Sequence, residues 1–183
     1  MNVYDFDKTI YADDSSVDFY KFNLKRNPKL AKYWPQQAKA ALDYKRNKIT
    51  KTEMKTIFYR YFQDVDNMEQ TILDFWEAHE HKLMDWYLHQ KQDSDVIVSA
   101  SPEFFLKPIC DKLGVHLIAS DVDPITGTNL KENCFGVEKV KRFEACFNLS
   151  DMDDFYSDSY SDDPLAQYAK RAFMVAGTNI KPW

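Results

Sequence analysis

Glycine is scarce in this chain, with only four glycines among 183 residues. Gly114, Gly127, Gly136 and Gly177 lie too far apart to form a GxGxxG dinucleotide-binding fingerprint or a GxxxxGK(S/T) phosphate-binding loop. If a protein with this sequence handles phosphate, it must therefore use a device other than a glycine-rich loop.

Cysteine and long hydrophobic runs are also in short supply. The three cysteines, Cys110, Cys134 and Cys146, form neither a CxxC pair nor a Cys/His pattern, so we expect free thiols in a reducing compartment. No apolar run approaches the roughly 18 residues of a membrane-spanning helix. The N-terminal residues lack the basic and apolar regions of a signal peptide. These absences predict a cytoplasmic protein with no membrane partner.

An excess of positive charge is missing as well. The 24 lysines and arginines are outnumbered by 29 acidic residues, which gives a net charge of −5 and disfavours a general nucleic-acid-binding surface. Aromatic residues, in contrast, are plentiful, with 13 phenylalanines, 11 tyrosines and 4 tryptophans, and 44% of the chain is hydrophobic. The composition is typical of a globular protein, and the length suits one domain or one domain with a sizeable insert.

The pattern of the chain changes character twice. Residues 2–6 form a short apolar, strand-prone run, and residues from about 14 to 90 then favour helix, because they contain no glycine and many helix formers. Thr50 and Glu53 form a capping box, which is a helix-start signal. After residue 94, strands are predicted at 95–99, 116–119, 154–157 and 172–176, and helices at 102–113, at 137–147 and from about 164. The alternation predicts an α/β fold with a mostly parallel sheet, interrupted after its first strand by a helical insert.

Polar side chains stand where the predicted strands end. These sequences are Asp5-Phe6-Asp7-Lys8-Thr9, Ser99-Ala100-Ser101 and Asp158-Ser159-Tyr160-Ser161-Asp162, and Lys139 opens the helix ahead of the last of them. In open α/β sheets, ligands bind at the carboxyl ends of the strands. We therefore expect four carboxylates, a hydroxyl and an ammonium group to converge at one rim.

Converging carboxylates need a positive partner, because like charges raise each other's pKa. A hard divalent cation such as Mg²⁺ suits an all-oxygen site and commonly binds substrate phosphate oxygens. A carboxylate beside it, here Asp5, can attack phosphorus and form an aspartyl-phosphate. Asp7, two residues later, can protonate the leaving oxygen and then activate water, while Ser99 and Lys139 would bind the transferring phosphoryl group. The sequence thus predicts phosphoryl chemistry with Mg²⁺ on a small phosphorylated substrate.

The same residues resemble a known family. DFDKT at 5–9, the strand ending in Ser99, Lys139, and DxxxD at 158–162 resemble the four motifs of the haloacid dehalogenase superfamily, in the same order. CFGVEK at 134–139 and SDSYSDDPL at 157–165 are similar to its phosphoserine-phosphatase-like branch. The resemblance covers nearly the whole chain. It implies an α/β, Rossmann-like parallel-sheet core, residues 1–13 and 92–183, with an inserted all-helical C1 cap, residues 14–91.

The resemblance also implies a role for each matching residue. The catalytic set would be Asp5 as nucleophile, Asp7 as general acid/base and Lys139 as the cation that stabilises nucleophile and phosphate. The metal set would be Asp5, Asp7 through its backbone carbonyl, Asp158 and Asp162. The substrate-binding set would be Ser99, Ala100, Asp14 and Thr9, of which Thr9 would also steady the loop.

The chain departs from the phosphoserine-phosphatase-like branch at positions that concern the substrate. The branch has a glutamate where this chain has Asp14, a glycine where it has Ala100, and an asparagine where it has Ser161. No convincing counterpart of its carboxylate-binding arginine can be aligned, and Arg46 and Arg60 are only candidates. We therefore predict a phosphomonoester hydrolase that acts on a small phosphorylated metabolite, without singling out phosphoserine.

Simpler interpretations stay open beside the catalytic ones. One alternative assigns a helix cap to Ser99 or, better, to Ser101, and another assigns helix-dipole pairing to Asp14. Lys131 and Lys141 compete with Lys139 for the site, each being otherwise a solvated helix lysine, and Asp163 competes with Asp162. For the whole protein, the alternatives are a phosphotransferase or mutase of the same superfamily and a receiver-like Mg²⁺-binding signalling module.

Overall fold

Six strands form one sheet in this protein, whose structure is a computed structural model that describes residues 1–183. The strands are β1 (Val3–Tyr4), β2 (Val96–Pro102), β3 (His116–Ser120), β4 (Asp154–Ser157), β5 (Arg171–Ala176) and β6 (Asn179–Pro182). They lie in the order β3-β2-β1-β4-β5-β6, with β6 antiparallel to β5 and every other pairing parallel. The predicted α/β fold with a mostly parallel sheet is confirmed, and the order of its parallel strands is Rossmann-like.

The short strand β1 lies at the centre of the sheet because both of its faces are apolar. Val3 pairs in register with Val96 and Phe155, and all three belong to one buried cluster. Tyr4 points to the opposite face, where it stacks on Tyr156 with ring centroids 4.9 Å apart. Alternation between two buried faces is what a strand covered on both sides requires.

The order of the strands creates a crevice. From β1 the chain builds outwards through β2 and β3, and it then returns to the other side of β1 to form β4. Open α/β sheets bind ligands at the carboxyl ends of the two strands beside such a reversal. Asp5 directly follows β1 and Asp158 directly follows β4, so the fold places both carboxylates at this crevice.

Five helices occupy the segment that the composition predicts to be helical. They are α1 (Ser15–Arg26), α2 (Trp34–Lys45), α3 (Lys51–Tyr59), α4 (Met68–His79) and α5 (Asp85–Gln90). The predicted capping box starts α3: the Thr50 hydroxyl accepts the Glu53 backbone N–H at 3.1 Å, and the Glu53 carboxylate accepts the Thr50 N–H at 2.7 Å. No helix in the protein combines the length and the hydrophobicity needed to cross a lipid bilayer. The division into a core and an insert at residues 13/14 and 91/92 stays a prediction.

Three further helices, α6 (Glu103–Leu113), α7 (Val137–Glu144) and α8 (Asp163–Ala166), connect the strands of the sheet. Some predicted boundaries are wrong. The first strand ends at Tyr4 because the chain turns immediately after it, and α6 starts one residue late because Pro102 is still extended, with φ −62° and ψ 136°. The α7 helix ends at Glu144 instead of residue 147. The sequence analysis did not predict β6, whose four residues pair with β5 as a hairpin.

The loop that connects β3 to α7 contacts α3 directly and holds it over the crevice. The Asn129 side-chain amide donates to the Thr56 hydroxyl at 2.9 Å, and the Asn133 backbone N–H donates to the Thr52 hydroxyl at 3.0 Å. Gly127 packs so closely on Tyr59 that a Cβ at that position would overlap the Tyr59 backbone. The position of α3 is therefore set by direct contacts with the loop that connects β3 to α7.

Candidate active site

A cavity of about 190 Å³ opens at the carboxyl ends of β1 and β4. Seven of the predicted site residues line it: Asp5, Asp7, Asp14, Ala100, Lys139, Asp158 and Asp162. Thr9 and Ser99 do not line it and are fully buried. Residues that are distant along the chain thus come together as the strand-end argument requires.

Lys139 lies between two carboxylates on the floor of the cavity. Its Nζ donates to Asp5 Oδ1 and to Asp162 Oδ2, both at 2.7 Å. The lysine is only 1% exposed. Burial opposes its charge, but the two carboxylates outweigh this effect and hold the pKa of Lys139 above its ordinary value. Burial in turn raises the pKa of Asp5, and Lys139 offsets part of that rise. The arrangement selects Lys139 over Lys131 and Lys141, which form exposed ion pairs elsewhere.

Thr9 joins the two loops that carry the acidic residues. Its hydroxyl accepts the backbone N–H of Asp158 at 3.0 Å and lies 3.4 Å from Asp5 Oδ2, to which it donates. Because Thr9 is fully buried, it has no surface for substrate. The structure gives it the loop-steadying contacts that the resemblance implies.

Asp7 faces a different set of partners from Asp5. Its Oδ1 accepts the backbone N–H of Ser15 at 2.7 Å, and its Oδ2 accepts the hydroxyl of Ser101 at 2.6 Å. Burial is the main reason that the pKa of Asp7 is raised, and the nearby carboxylate of Asp14 adds to it. A buried carboxyl with a raised pKa that lines a polar cavity is a suitable general acid.

The acidic residues of the cavity fit a hard cation by their chemistry. All their donors are oxygens, which Mg²⁺ prefers, and Oδ1 of Asp162 is buried without a hydrogen-bond partner. Burial raises the pKa of Asp5 and of Asp158, so a cation beside them would stabilise their ionised forms. As the side chains stand, no three His, Cys, Asp or Glu residues form a ready metal-binding group. The Asp7 carboxylate is occupied elsewhere, which leaves its backbone carbonyl as the donor that the resemblance implies.

The serines at the end of β2 differ from what the capping interpretation predicts. Neither Ser99 nor Ser101 caps α6; Pro102 occupies the N-cap position, with no side-chain cap. The Ser99 hydroxyl instead accepts the Ser101 backbone N–H at 3.1 Å, within the stretch of β2 between Val98 and Pro102 where the register shifts. The capping role is wrong because the strand continues through Pro102 and brings the Ser101 hydroxyl to Asp7.

Asp14 lies both at the start of α1 and at the cavity. Its carboxylate caps α1 by accepting the Val17 N–H at 3.0 Å, and it also lines the cavity. Arg46 and Arg60, the candidate carboxylate-binding arginines, do not line the cavity. Asp163 lies outside it as well and accepts the Trp183 indole N–H at 2.7 Å.

Two lysines of α3 line the cavity although the sequence reasoning missed them. Lys55 donates to the Ala100 carbonyl and to the Tyr59 hydroxyl, both at 3.1 Å. Lys51 has no ion pair, and its ammonium lies 4.8 Å from the centroid of the Phe135 ring. Burial lowers the pKa of Lys51, and Lys55 adds to that effect. A signal was present, because lysines in the first turns of a helix oppose its dipole and like charges four residues apart repel.

Comparisons with known proteins agree with this geometry. Residues 3–167 match the family model of haloacid dehalogenase-like hydrolases. The fold is similar to that of a protein of unknown function from Bordetella pertussis Tohama I, with a TM-score of 0.77 and 23% identity over 94% of this chain and 87% of that one. No curated protein matches the chain significantly in sequence.

Two further solved structures have a similar fold. One is a phosphoserine phosphohydrolase-like protein from Francisella tularensis subsp. tularensis SCHU S4, with a TM-score of 0.58 and 17% identity over 94% of this chain and 86% of that one. The other is a probable phosphoserine phosphatase from Vibrio cholerae, with a TM-score of 0.65 and 13% identity over 93% of this chain and 55% of that one. At these identities the similarity establishes the fold, which is the predicted one.

Proposed function

Because the chain belongs to the haloacid dehalogenase-like hydrolase family, we propose that it is a Mg²⁺-dependent phosphomonoesterase that works through an aspartyl-phosphate at Asp5. The observation that carries the proposal is the buried Lys139 held at 2.7 Å from both Asp5 and Asp162. Such an ion cluster is costly to bury, and it lies on the floor of a polar cavity at the carboxyl ends of the strands. A catalytic role explains why the fold keeps it.

The residues divide the reaction between them. In the first step a carboxylate oxygen of Asp5 bonds to phosphorus as the bond to the leaving oxygen breaks, and Asp7 gives its proton to that oxygen. In the second step Asp7 takes a proton from water, whose oxygen bonds to phosphorus while the Asp5–phosphorus bond breaks. Lys139 offsets the negative charge throughout. Mg²⁺, held by Asp5, the Asp7 carbonyl and Asp158 with support from Asp162, would supply further neutralisation of the phosphate oxygens.

The size of the cavity favours a small substrate. The cavity adjoins a second one of about 210 Å³, with which it shares Asp14, Lys51 and Lys55. The second cavity also has an apolar wall that includes Met54 and Phe58. The phosphoryl group would occupy the first cavity and a small leaving group the second, which agrees with a phosphorylated metabolite as substrate.

The nucleophile assignment is tested with an aryl phosphate and Mg²⁺. We expect Asp5→Asn to lower kcat by about 10³-fold or more, because the amide cannot form the covalent intermediate, and we expect EDTA to abolish the activity of the unmodified protein. The matched control is Asp163→Asn, an exposed acid outside the cavity, which should stay within about twofold because surface changes are usually near neutral. Full activity of Asp5→Asn would refute the assignment.

The intermediate itself is tested with Asp7→Asn and ³²P-labelled aryl phosphate. The variant keeps the nucleophile but loses the base of the second step, so covalent label should accumulate on the protein. Label on the Asp5→Asn protein would contradict the assignment. Transfer of label to added alcohols, in place of release as phosphate, would favour a phosphotransferase.

A further inference from the structure

A chain of hydrogen bonds leads from α3 to Asp7. Lys55 Nζ lies 3.1 Å from the Tyr59 hydroxyl, which lies 3.2 Å from the Ser16 hydroxyl. The Ser16 hydroxyl lies 3.0 Å from that of Ser101, and Ser101 donates to Asp7 Oδ2 at 2.6 Å. All three hydroxyl-bearing residues are buried, with at most 5% exposure. Water is thus largely excluded, and each hydroxyl depends on its neighbours in the chain.

When Asp7 is ionised, the direction of every hydrogen bond in this series is determined. A hydroxyl has a single proton. Ser101 gives its proton to Asp7, so Ser16 must donate to Ser101, and Tyr59 must then donate to Ser16. Lys55 completes the series, because an ammonium group can donate but cannot accept. All four bonds therefore point towards the Asp7 carboxylate, and chains aligned in this way strengthen each bond.

This series of hydrogen bonds joins two parts of the fold. Ser16 lies on α1 and Tyr59 on α3, both within the helical segment, whereas Ser101 lies on β2 and Asp7 follows β1. The step from Ser16 to Ser101, at 3.0 Å, crosses between these parts. Asp7 receives its complete set of donors only when α1 and α3 are seated on the sheet.

We propose that Ser101, Ser16 and Tyr59 are positioning residues that orient the Asp7 carboxylate and make its alignment depend on the docking of α1 and α3. The proposal rests on the proposed function, because it takes Asp7 as the general acid. Ser16 and Tyr59 also line the second cavity, but in this role each residue acts through the next one in the hydrogen-bonded series. Removing the Tyr59 hydroxyl leaves Ser16 without its donor, so the Ser16 proton is no longer directed to Ser101 alone and the hold on Asp7 weakens.

Misplacing a general acid has a characteristic kinetic effect. An alkoxide is a strong base and needs a proton as it departs, whereas p-nitrophenolate is a weak base and departs without one. An acid that is present but misaligned therefore slows the first step, in which the leaving group is released, far more for alkyl phosphates than for p-nitrophenyl phosphate. General structural damage would slow both substrates equally.

The test compares Tyr59→Phe with Tyr61→Phe. Both variants remove one buried hydroxyl, but Tyr61 has no hydrogen-bond partner. With Tyr59→Phe we expect the single-turnover rate of leaving-group release to fall roughly tenfold or more for glycerol phosphate and less than about threefold for p-nitrophenyl phosphate, within the range of general acid contributions. Tyr61→Phe should leave both within about twofold, because an unpaired hydroxyl contributes little. Equal losses on both substrates, or no loss beyond the Tyr61→Phe control, would overturn the proposal.

A second readout does not depend on activity. The Ser15 backbone N–H donates to Asp7 Oδ1 at 2.7 Å. Loosening of Asp7 should therefore speed the hydrogen–deuterium exchange of the Ser15 amide, measured by NMR, in Tyr59→Phe but not in Tyr61→Phe. Unchanged Ser15 exchange in Tyr59→Phe would overturn the positioning role. If the unmodified protein hydrolyses neither phosphate, the proposed function fails, and the Ser15 comparison still decides whether the chain orients Asp7.

Discussion

At the scale of single residues, the buried ammonium of Lys139 is the group whose removal we expect to affect both stability and activity. Two carboxylates surround it, and it is 1% exposed. Removing one member of a buried ion cluster leaves uncompensated charge, which is far more damaging than losing an exposed pair. Asp5 and Asp162 would then repel each other in a site from which water is largely excluded.

We therefore expect Lys139→Met to lower the free energy of unfolding by about 3–5 kcal/mol in metal-free buffer and to lower kcat on an aryl phosphate by about 10²-fold or more. Chemical denaturation and steady-state kinetics measure the two effects. Lys141→Met is the matched control, because Lys141 lies two residues away with a side chain that is 70% exposed. It should change stability by less than about 0.5 kcal/mol. A stable and active Lys139→Met protein would show that the cluster serves neither purpose.

Motif spacing predicted the acidic residues of the site better than it predicted the hydroxyl and lysine partners. Asp5, Asp7 and Asp158 were found because they follow strands, and strand ends can be read from hydrophobic runs. The contacts of Lys55 and Ser101 could not be found in that way, although Ser101 stands at a strand end. These residues meet Asp7 and Ala100 through the packing of distant elements, for which a single sequence carries no local signal.

At the scale of elements, α3 depends on the close approach of Gly127. This glycine has φ +72°, and a Cβ added to it would overlap the Tyr59 backbone. Gly177 has a similar φ of +63°, but a Cβ added there would meet nothing within 4 Å. The two glycines thus share the conformational requirement and differ only in the contact.

Comparing Gly127→Ala with Gly177→Ala isolates that contact. Both substitutions should lose roughly 1 kcal/mol from the left-handed conformation. Gly127→Ala should lose about 1–3 kcal/mol more from overpacking against Tyr59, and it should also lower kcat, because α3 carries Lys51 and Lys55 into the cavity. Thermal unfolding and aryl phosphate hydrolysis measure the difference. Equal effects of the two variants would show that the loop does not position α3.

Elements with strong local signals were predicted, and those specified by pairing were not. The capping box at Thr50 and Glu53 marks the start of α3 because the signal lies within four residues. The strand β6 has no such signal: Asn179 to Pro182 includes only one aliphatic residue and ends in proline. Its hydrogen bonds come from β5, so it forms as an edge strand through its partner.

At the scale of the whole molecule, the helical segment and the sheet share one hydrophobic core. A single buried cluster includes Phe6 of the sheet-bearing part together with Phe19 and Phe75 of the helical segment. Phe105 of α6 lies 4.8 Å from Phe19 between ring centroids, and its carbonyl accepts the Trp76 indole N–H at 2.7 Å. The sequence predicted a separate insert because composition changes at its boundaries. Composition cannot show that α1 and α4 also pack against α6.

The two connections between the sheet and the helical segment lie side by side. Ala12 donates its N–H to the Lys82 carbonyl at 2.9 Å, and Met84 donates to the Ile10 carbonyl at 2.8 Å. Asp18, which is buried, ties the pair together by accepting the Lys82 ammonium at 2.7 Å and the Tyr11 hydroxyl at 3.1 Å. Burial acts to raise the pKa of Asp18, but the hydrogen bonds from Lys82, Tyr11 and Lys21 outweigh it, so the pKa lies below its ordinary value.

The lowered pKa of Asp18 makes the junction sensitive to acid. The folded state holds fewer protons at this residue than the unfolded state, so its contribution to stability is complete above the unfolded pKa of about 4 and is lost as pH falls through the lower folded pKa. Asp18→Asn removes the charge at every pH. It should lower the free energy of unfolding by roughly 1.5–3 kcal/mol at pH 7, as expected for hydrogen bonds to a charged group. The difference in free energy of unfolding between Asp18→Asn and the unmodified protein should then narrow below about pH 4.

Asp13→Asn is the control that separates the buried contact from the exposed one. Asp13 also pairs with Lys82, at 2.9 Å, but its side chain is 60% exposed, and exposed pairs contribute little because water screens them. Urea denaturation of the three proteins from pH 7 to pH 3 therefore distinguishes the two carboxylates. The difference in free energy of unfolding between Asp18→Asn and the unmodified protein could instead stay constant over this range. That result would show that the charge of Asp18 does not stabilise the junction and that only its shape matters.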